Sequence, residues 1–111
     1  MIKYKIIYDN DKVLRVGRRY LKDVVEILDE AGYDIKEIDY RDDKALANEI
    51  SRLKLCGLAD LGVTYDKVVF KEEVVTSHLQ FIYVNPKFTD KLITALVFSG
   101  YYISCIIRRK K

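Results

Sequence analysis

Lys3 and Lys5 alternate with Tyr4, Ile6 and Tyr8, so the pattern predicts a strand over residues 2–8 with the tyrosines turned to the core. Asp9, Asn10 and Asp11 give a turn signal, and residues 13–16 either extend the sheet as a hairpin partner or form a loop. From 18 to 31 the apolar positions fall at Leu21, Val24, Val25, Leu28 and Ala31, widened by Ile27. That is the stripe of an amphipathic helix, and Gly32 stands where such a helix stops. Residues 33–40 read as a strand, with Tyr33, Ile35 and Glu37 on one face and Asp34, Lys36 and Ile38 on the other. Asp42 and Asp43 cap a second helix over 44–58. Strands follow at 65–75 and 79–84, around a Thr76-Ser77-His78 turn. Asn85-Pro86 opens a helix to residue 99, stopped by Gly100, and 101–107 is a last strand before the basic tail Arg108-Arg109-Lys110-Lys111.

Part of this pattern occurs twice. Residues 20–41 align with 88–109 without a gap, setting Gly32-Tyr33 on Gly100-Tyr101, Leu28 on Leu96, Ile35 on Ile103 and Ile38 on Ile106. Upstream, Ile7-Tyr8-Asp9-Asn10-Asp11-Lys12 resembles Ile82-Tyr83-Val84-Asn85-Pro86-Lys87, which leaves residues 13–19 as an insertion in the first strand-to-helix loop. A strand-helix-strand unit used twice resembles the double split βαβ of ferredoxin-like domains. The expected fold is therefore a single α/β (α+β) domain over residues 1–111, with one more helix and strand between the copies. Its element order is also similar to that of thioredoxin and glutaredoxin domains, and the stretch from Glu37 to Val63 resembles the middle of a glutaredoxin. That family's redox pair would fall at Arg18, Arg19, Tyr20 and Leu21, where no cysteine stands, so dithiol chemistry is excluded on residues.

The 111 residues are half apolar and one-third charged, which fits one domain with a single core. The longest uncharged stretch, 92–107, is too short to span a bilayer. The start carries charges inside its short apolar run and lacks a small-residue cleavage site, so neither a signal peptide nor membrane association is expected, and the location is cytoplasmic. Few Gln and Asn beside many Lys, Arg, Ile and Val is the usage of thermophile proteins. Cys56 and Cys105 lie in apolar contexts and read as buried thiols. With His78 the only histidine, neither a zinc site nor a catalytic triad assembles from the sequence, and no cofactor is implied.

Net charge is only +3, but residues 1–22 hold seven basic and two acidic side chains, and residues 23–51 hold three and ten. The basic groups gather at Val13-Leu14-Arg15-Val16-Gly17-Arg18-Arg19 and at the tail. The first segment resembles the acylphosphatase loop, with Val13, Val16, Gly17 and Arg19 at the matching positions. That resemblance implies an anion cradle at a helix N-terminus, although the next strand, ending Asp39-Tyr40-Arg41, lacks the family's catalytic asparagine. If the strands of the first unit run parallel, Asp9, Asp11, Asp39, Asp42 and Asp43 share one sheet edge, a magnesium arrangement. The helix over 89–99 is apolar nearly all round, and Val25 to Ile35 resembles the helix-Gly-strand phrase of ACT domains. Both point to homodimerisation. The function expected is a non-enzymatic binding protein, contacting nucleic acid or an acidic protein surface through Arg15, Gly17, Arg18, Arg19, Arg108 and Arg109. The alternatives are a phosphate-handling hydrolase and a viral or host-defence inhibitor acting by protein–protein binding.

Overall fold

Short runs of β-branched and aromatic residues separated by turn residues give two hairpins, each followed by a helix and a third strand. The computed structural model describes residues 2–56, 60–72 and 78–111. Its elements are β1 (Lys3–Tyr8), β2 (Lys12–Gly17), α1 (Arg18–Glu30), β3 (Ile35–Asp39), α2 (Lys44–Ser51), β4 (Thr64–Lys71), β5 (Gln80–Val84), α3 (Thr89–Phe98) and β6 (Tyr102–Lys110). A 3-10 turn at Pro86–Phe88 leads into α3. The protein is a small α+β domain in which six strands form two antiparallel sheets, ordered β2-β1-β3 and β5-β4-β6.

These two sheets replace the single sheet expected from the sequence, and each has the same construction: a hairpin, then a helix returning the chain to the far side of the first strand. The duplication is real, but its upstream half differs from the sequence alignment. Residues 13–16 belong to β2 and pair with β1, Leu14 opposite Ile6 and Val16 opposite Tyr4. They are therefore no insertion. The spacing that superposes Gly32 on Gly100 also superposes β2 on β5 without a gap, bringing buried Leu14 and Val16 onto buried Ile82 and Val84. β1 then corresponds to β4, and both carry a register shift at the equivalent step, between Ile7 and Tyr8 and between Val69 and Phe70. Because of that bulge, Ile35 and Ile38 both lie half-buried against the core, where strict alternation put them on opposite faces.

Other expectations shift for local reasons. β1 and β3 are antiparallel, Lys5 opposite Asp39 and Tyr8 opposite Ile35, so Asp9 and Asp39 stand at opposite strand ends. The parallel pairing needed by the five-aspartate magnesium arrangement, and by a thioredoxin-like order, is not formed. α2 ends at Ser51, well short of the expected residue 58, which like Gly57 and Ala59 lies outside the described residues. The predicted continuation of β4 over 73–75 and the Thr76-Ser77 turn also lie outside them. Cys56 and Cys105 are free and exposed rather than buried. Tyr4 and Tyr8 are buried, as the flanking lysines predict. Among the described residues no helix is long and apolar enough to cross a membrane.

α1 ends in a six-to-one and five-to-two pair of hydrogen bonds, Tyr33 N–H to Leu28 O and Gly32 N–H to Asp29 O, with Gly32 at φ +90°. α3 repeats this with Tyr101 to Leu96, Gly100 to Val97 and Gly100 at φ +97°. The tyrosine after each glycine then crosses to the other half. The Tyr33 hydroxyl accepts from the Tyr83 N–H on β5, and the Tyr101 hydroxyl accepts from the Arg15 N–H on β2, each at 2.9 Å. Arg15 and Tyr83 are equivalent positions of the two copies, so the exchange is reciprocal about a pseudo-twofold axis. Each tyrosine also makes an edge-on ring contact inside its own half, Tyr33 with Tyr8 at 5.5 Å and Tyr101 with Phe70 at 5.3 Å. α1 and α3 pack antiparallel across the axis, Tyr20 stacking on Phe98 and Lys91 reaching Asp23 at 3.9 Å. The result is a helix layer on a sheet layer, in a molecule measuring 39 × 35 × 24 Å.

Candidate nucleic-acid interface

The face of the two sheets away from the helices is built by alternation. In each strand the residues that skip the core point outward: Lys3 and Lys5 on β1, Val13 and Arg15 on β2, Glu37 and Asp39 on β3. Their counterparts in the second half are Tyr65 and Lys67 on β4, Phe81 and Tyr83 on β5, and Cys105 and Ile107 on β6. The two copies share a backbone plan and differ in chemistry. Charged residues at four of these positions are replaced by Tyr65, Tyr83, Cys105 and Ile107, Val13 is replaced by Phe81, and the cation at Lys5/Lys67 is kept.

Each half forms its own surface. In the first, Lys3, Lys5, Arg15 and Arg41 surround the single carboxylate of Asp39 in a depression of about 390 Å³. Among the described residues, Lys3, Lys5, Arg41 and Arg109 pair with no carboxylate, whereas Arg15 lies 4.0 Å from Glu72. In the second half the aromatics gather, Tyr65 to Tyr83 at 5.4 Å and Phe81 to Tyr83 at 5.2 Å between ring centroids. Lys67 Nζ sits 4.4 Å from the Phe81 centroid and Lys12 Nζ 5.4 Å from it, so cations frame the ring. A cleft of about 370 Å³ joins the halves, lined by Val13 and Arg15 on one side and Phe81, Leu79 and His78 on the other. The strands carry ten basic and three acidic residues, the α-helices five and six, so positive charge is concentrated in the sheet layer.

The six residues singled out from sequence do not form one patch. Arg15 belongs to the outer sheet face. The Gly17 amide is buried and donates to Ser99 Oγ at 3.0 Å, so it is already engaged, and the segment before it is strand rather than an open loop. Arg18 Nε donates to Asp43 Oδ2 at 2.7 Å, while Arg19 lies 5.9 Å from the Tyr20 ring centroid. Asp43 also accepts from Tyr4 Oη and Leu46 N–H, and the Arg18 guanidinium above all holds its carboxyl down to about 2. Arg108, with Arg109 and Lys110, is part of β6 and not of a tail. Its Nε and second nitrogen grip buried Asp66 at 2.8 and 3.1 Å, and Thr89 Oγ1 adds a bond at 2.7 Å. Those bonds hold the Asp66 carboxyl below the ordinary range against the opposing effect of burial. Arg109 projects to the other face of β6, opposite Tyr65. The α1 N-terminus with Arg18 and Arg19, and the α3 N-terminus with Arg108, lie on opposite sides of the pseudo-twofold axis.

Sequence reading missed the cluster of Tyr65, Lys67 and Phe81 in the second half and Lys5 on the outer face of the first. The signal was available, because Phe81 and Tyr83 share a strand face, but assigning that face to solvent requires the β4–β5 register. Among the described residues no cluster of His, Cys, Asp and Glu of metal-binding size is present. No protein-family model, curated protein or solved structure matches the chain.

Proposed function

We propose that this chain is a non-enzymatic, cytoplasmic protein that binds single-stranded nucleic acid on the outer face of its two sheets. One observation carries the reading: equivalent outward positions of a duplicated sheet are charged in the first half and aromatic or apolar in the second, with the cation at Lys5/Lys67 retained in both. A surface facing only water has no need for Phe81, Tyr83 and Tyr65 side by side. Bases stack on such rings irrespective of sequence, while cations set around them take the phosphates. Here Phe81 and Tyr83 are the stacking platform, and Lys3, Lys5, Arg15, Arg41, Lys67 and Arg109 are the phosphate contacts. The split β-α-β in each half supports the ferredoxin-like reading, and the outer faces of the two three-stranded sheets supply the proposed platform.

Fluorescence anisotropy with a labelled single strand and with its duplex, each at low and raised salt, tests this. The single strand binds more tightly than the duplex, and its affinity falls as salt rises. Phe81→Ala weakens binding about tenfold, in line with ~1–3 kcal/mol for one stacked base. Lys5→Ala lowers the logarithmic salt slope by about 0.7, the loss of one phosphate contact on a single strand. Absence of binding, or binding indifferent to both substitutions, overturns the reading.

A further inference from the structure

We propose that β6 is a self-association edge, and that two copies of this chain pair through it in antiparallel register centred on Ile106. β6 and β3 are equivalent strands, each at the outside of its sheet with one row of backbone groups unpaired by the sheet. Such edges attract further strands, and charge on them is the usual protection. β3 has it: five residues carrying Lys36, Glu37 and Asp39. β6 has lost it. It runs nine residues, and Ser104, Cys105 and Ile107 stand where β3 has those three charges. Ile106 and Ile107 remain 46% and 39% exposed, and Tyr102 48%.

The occupant follows from where the charges of β6 lie. Its basic residues, Arg108, Arg109 and Lys110, all fall at one end, and its apolar residues fill the middle. A parallel copy would set those cations beside one another. An antiparallel copy centred on Ile106 sets Lys110 opposite Tyr102, Arg109 opposite Ile103 and Arg108 opposite Ser104. Cys105 then faces Ile107, and Ile106 faces its own copy. No cation opposes a cation, and the apolar residues meet at the centre, so the strand is complementary to itself in that register. Pairing of this kind satisfies the open row of backbone groups and joins the two second-half sheets into one. Cys105 and Ile107 also lie on the outer face, but the assignment rests on the unpaired edge of β6 and stands whether or not nucleic acid binds.

Light scattering and site-specific crosslinking test it. The wild-type chain has twice the monomer mass. Cys105→Glu with Ile107→Asp rebuilds the charges of β3 on β6 and gives the monomer mass with a cooperative melt, lowered only by the stabilisation that pairing supplied, since β3 already carries those residues in the same fold. In a Cys56→Ser, Cys105→Ser background, Ile106→Cys crosslinks to a covalent dimer under mild oxidation, while Tyr102→Cys, placed opposite Lys110, does not. That pair of variants decides the matter even if the charged variant fails to fold. A wild-type monomer, which leaves β6 open to some other chain, overturns the proposal. So does equal crosslinking at 102 and 106, or a dimer in which Ile106→Cys stays uncrosslinked.

Discussion

Asp43 shows how much one carboxylate does in this fold. It caps α2 through the Leu46 N–H, and it holds Arg18 and Tyr4, joining the start of α1 to β1 and α2. Its folded-state pKa of about 2 lies below the ordinary aspartate value. The stabilisation is therefore complete above the ordinary range, about pH 4, and is lost as pH falls from there through about 2. Asp43→Asn keeps a good helix cap but loses the charge. Across that acid window the melting temperature of the wild type falls more steeply than that of Asp43→Asn, and parallel curves would refute the assignment. The cap was legible in the sequence because capping is local. The partners were not, because Arg18 and Tyr4 reach Asp43 only through tertiary packing. For the same reason Arg18 and Arg108 read as free cations in the sequence, although each is held by a carboxylate far along the chain.

Among elements, the determining feature is the exchange of Tyr33 and Tyr101 between the two hairpins. β2 and β5 are edge strands of their sheets, and each has one amide bonded to a phenol oxygen of the other half. Burial pushes both phenols above their usual pKa, so they remain neutral hydroxyls throughout the physiological range. Tyr33→Phe and Tyr101→Phe each keep the ring contact while leaving one amide without its acceptor, at a cost of about 1 kcal/mol each. Chemical denaturation measures this, and the double variant costs close to the sum, since the two bonds share no group. A loss in one variant only would mean that the halves are not related as described. Much of this was legible, since Gly32-Tyr33 and Gly100-Tyr101 marked the repeat and both helix stops. The hairpin β1–β2 was legible only as one of two readings of residues 13–16, because Arg15 and the neighbouring Arg18-Arg19 gave residues 13–19 the look of a basic loop. The similarity of the two Asn-containing turns then drew the alignment onto β1. The buried pair Leu14 and Val16, matching Ile82 and Val84, carries the true register.

At the scale of the whole molecule, basic side chains outnumber acidic ones in the strands, whereas the helices hold the two in near balance. The sequence showed that basic residues outnumber acidic ones near both ends of the chain. It could not show which side chains of β1, β2 and β4–β6 turn away from the core, because facing depends on register and on the bulges. The most direct test is to add a short single-stranded oligonucleotide to isotope-labelled protein and follow backbone amide shifts by NMR. The account predicts shifts at Lys5, Arg15, Lys67, Phe81, Tyr83 and Arg109, with α1 and α3 unmoved. Shifts confined to Arg18, Arg19 and the α1 N-terminus, or no shifts at all, would contradict it.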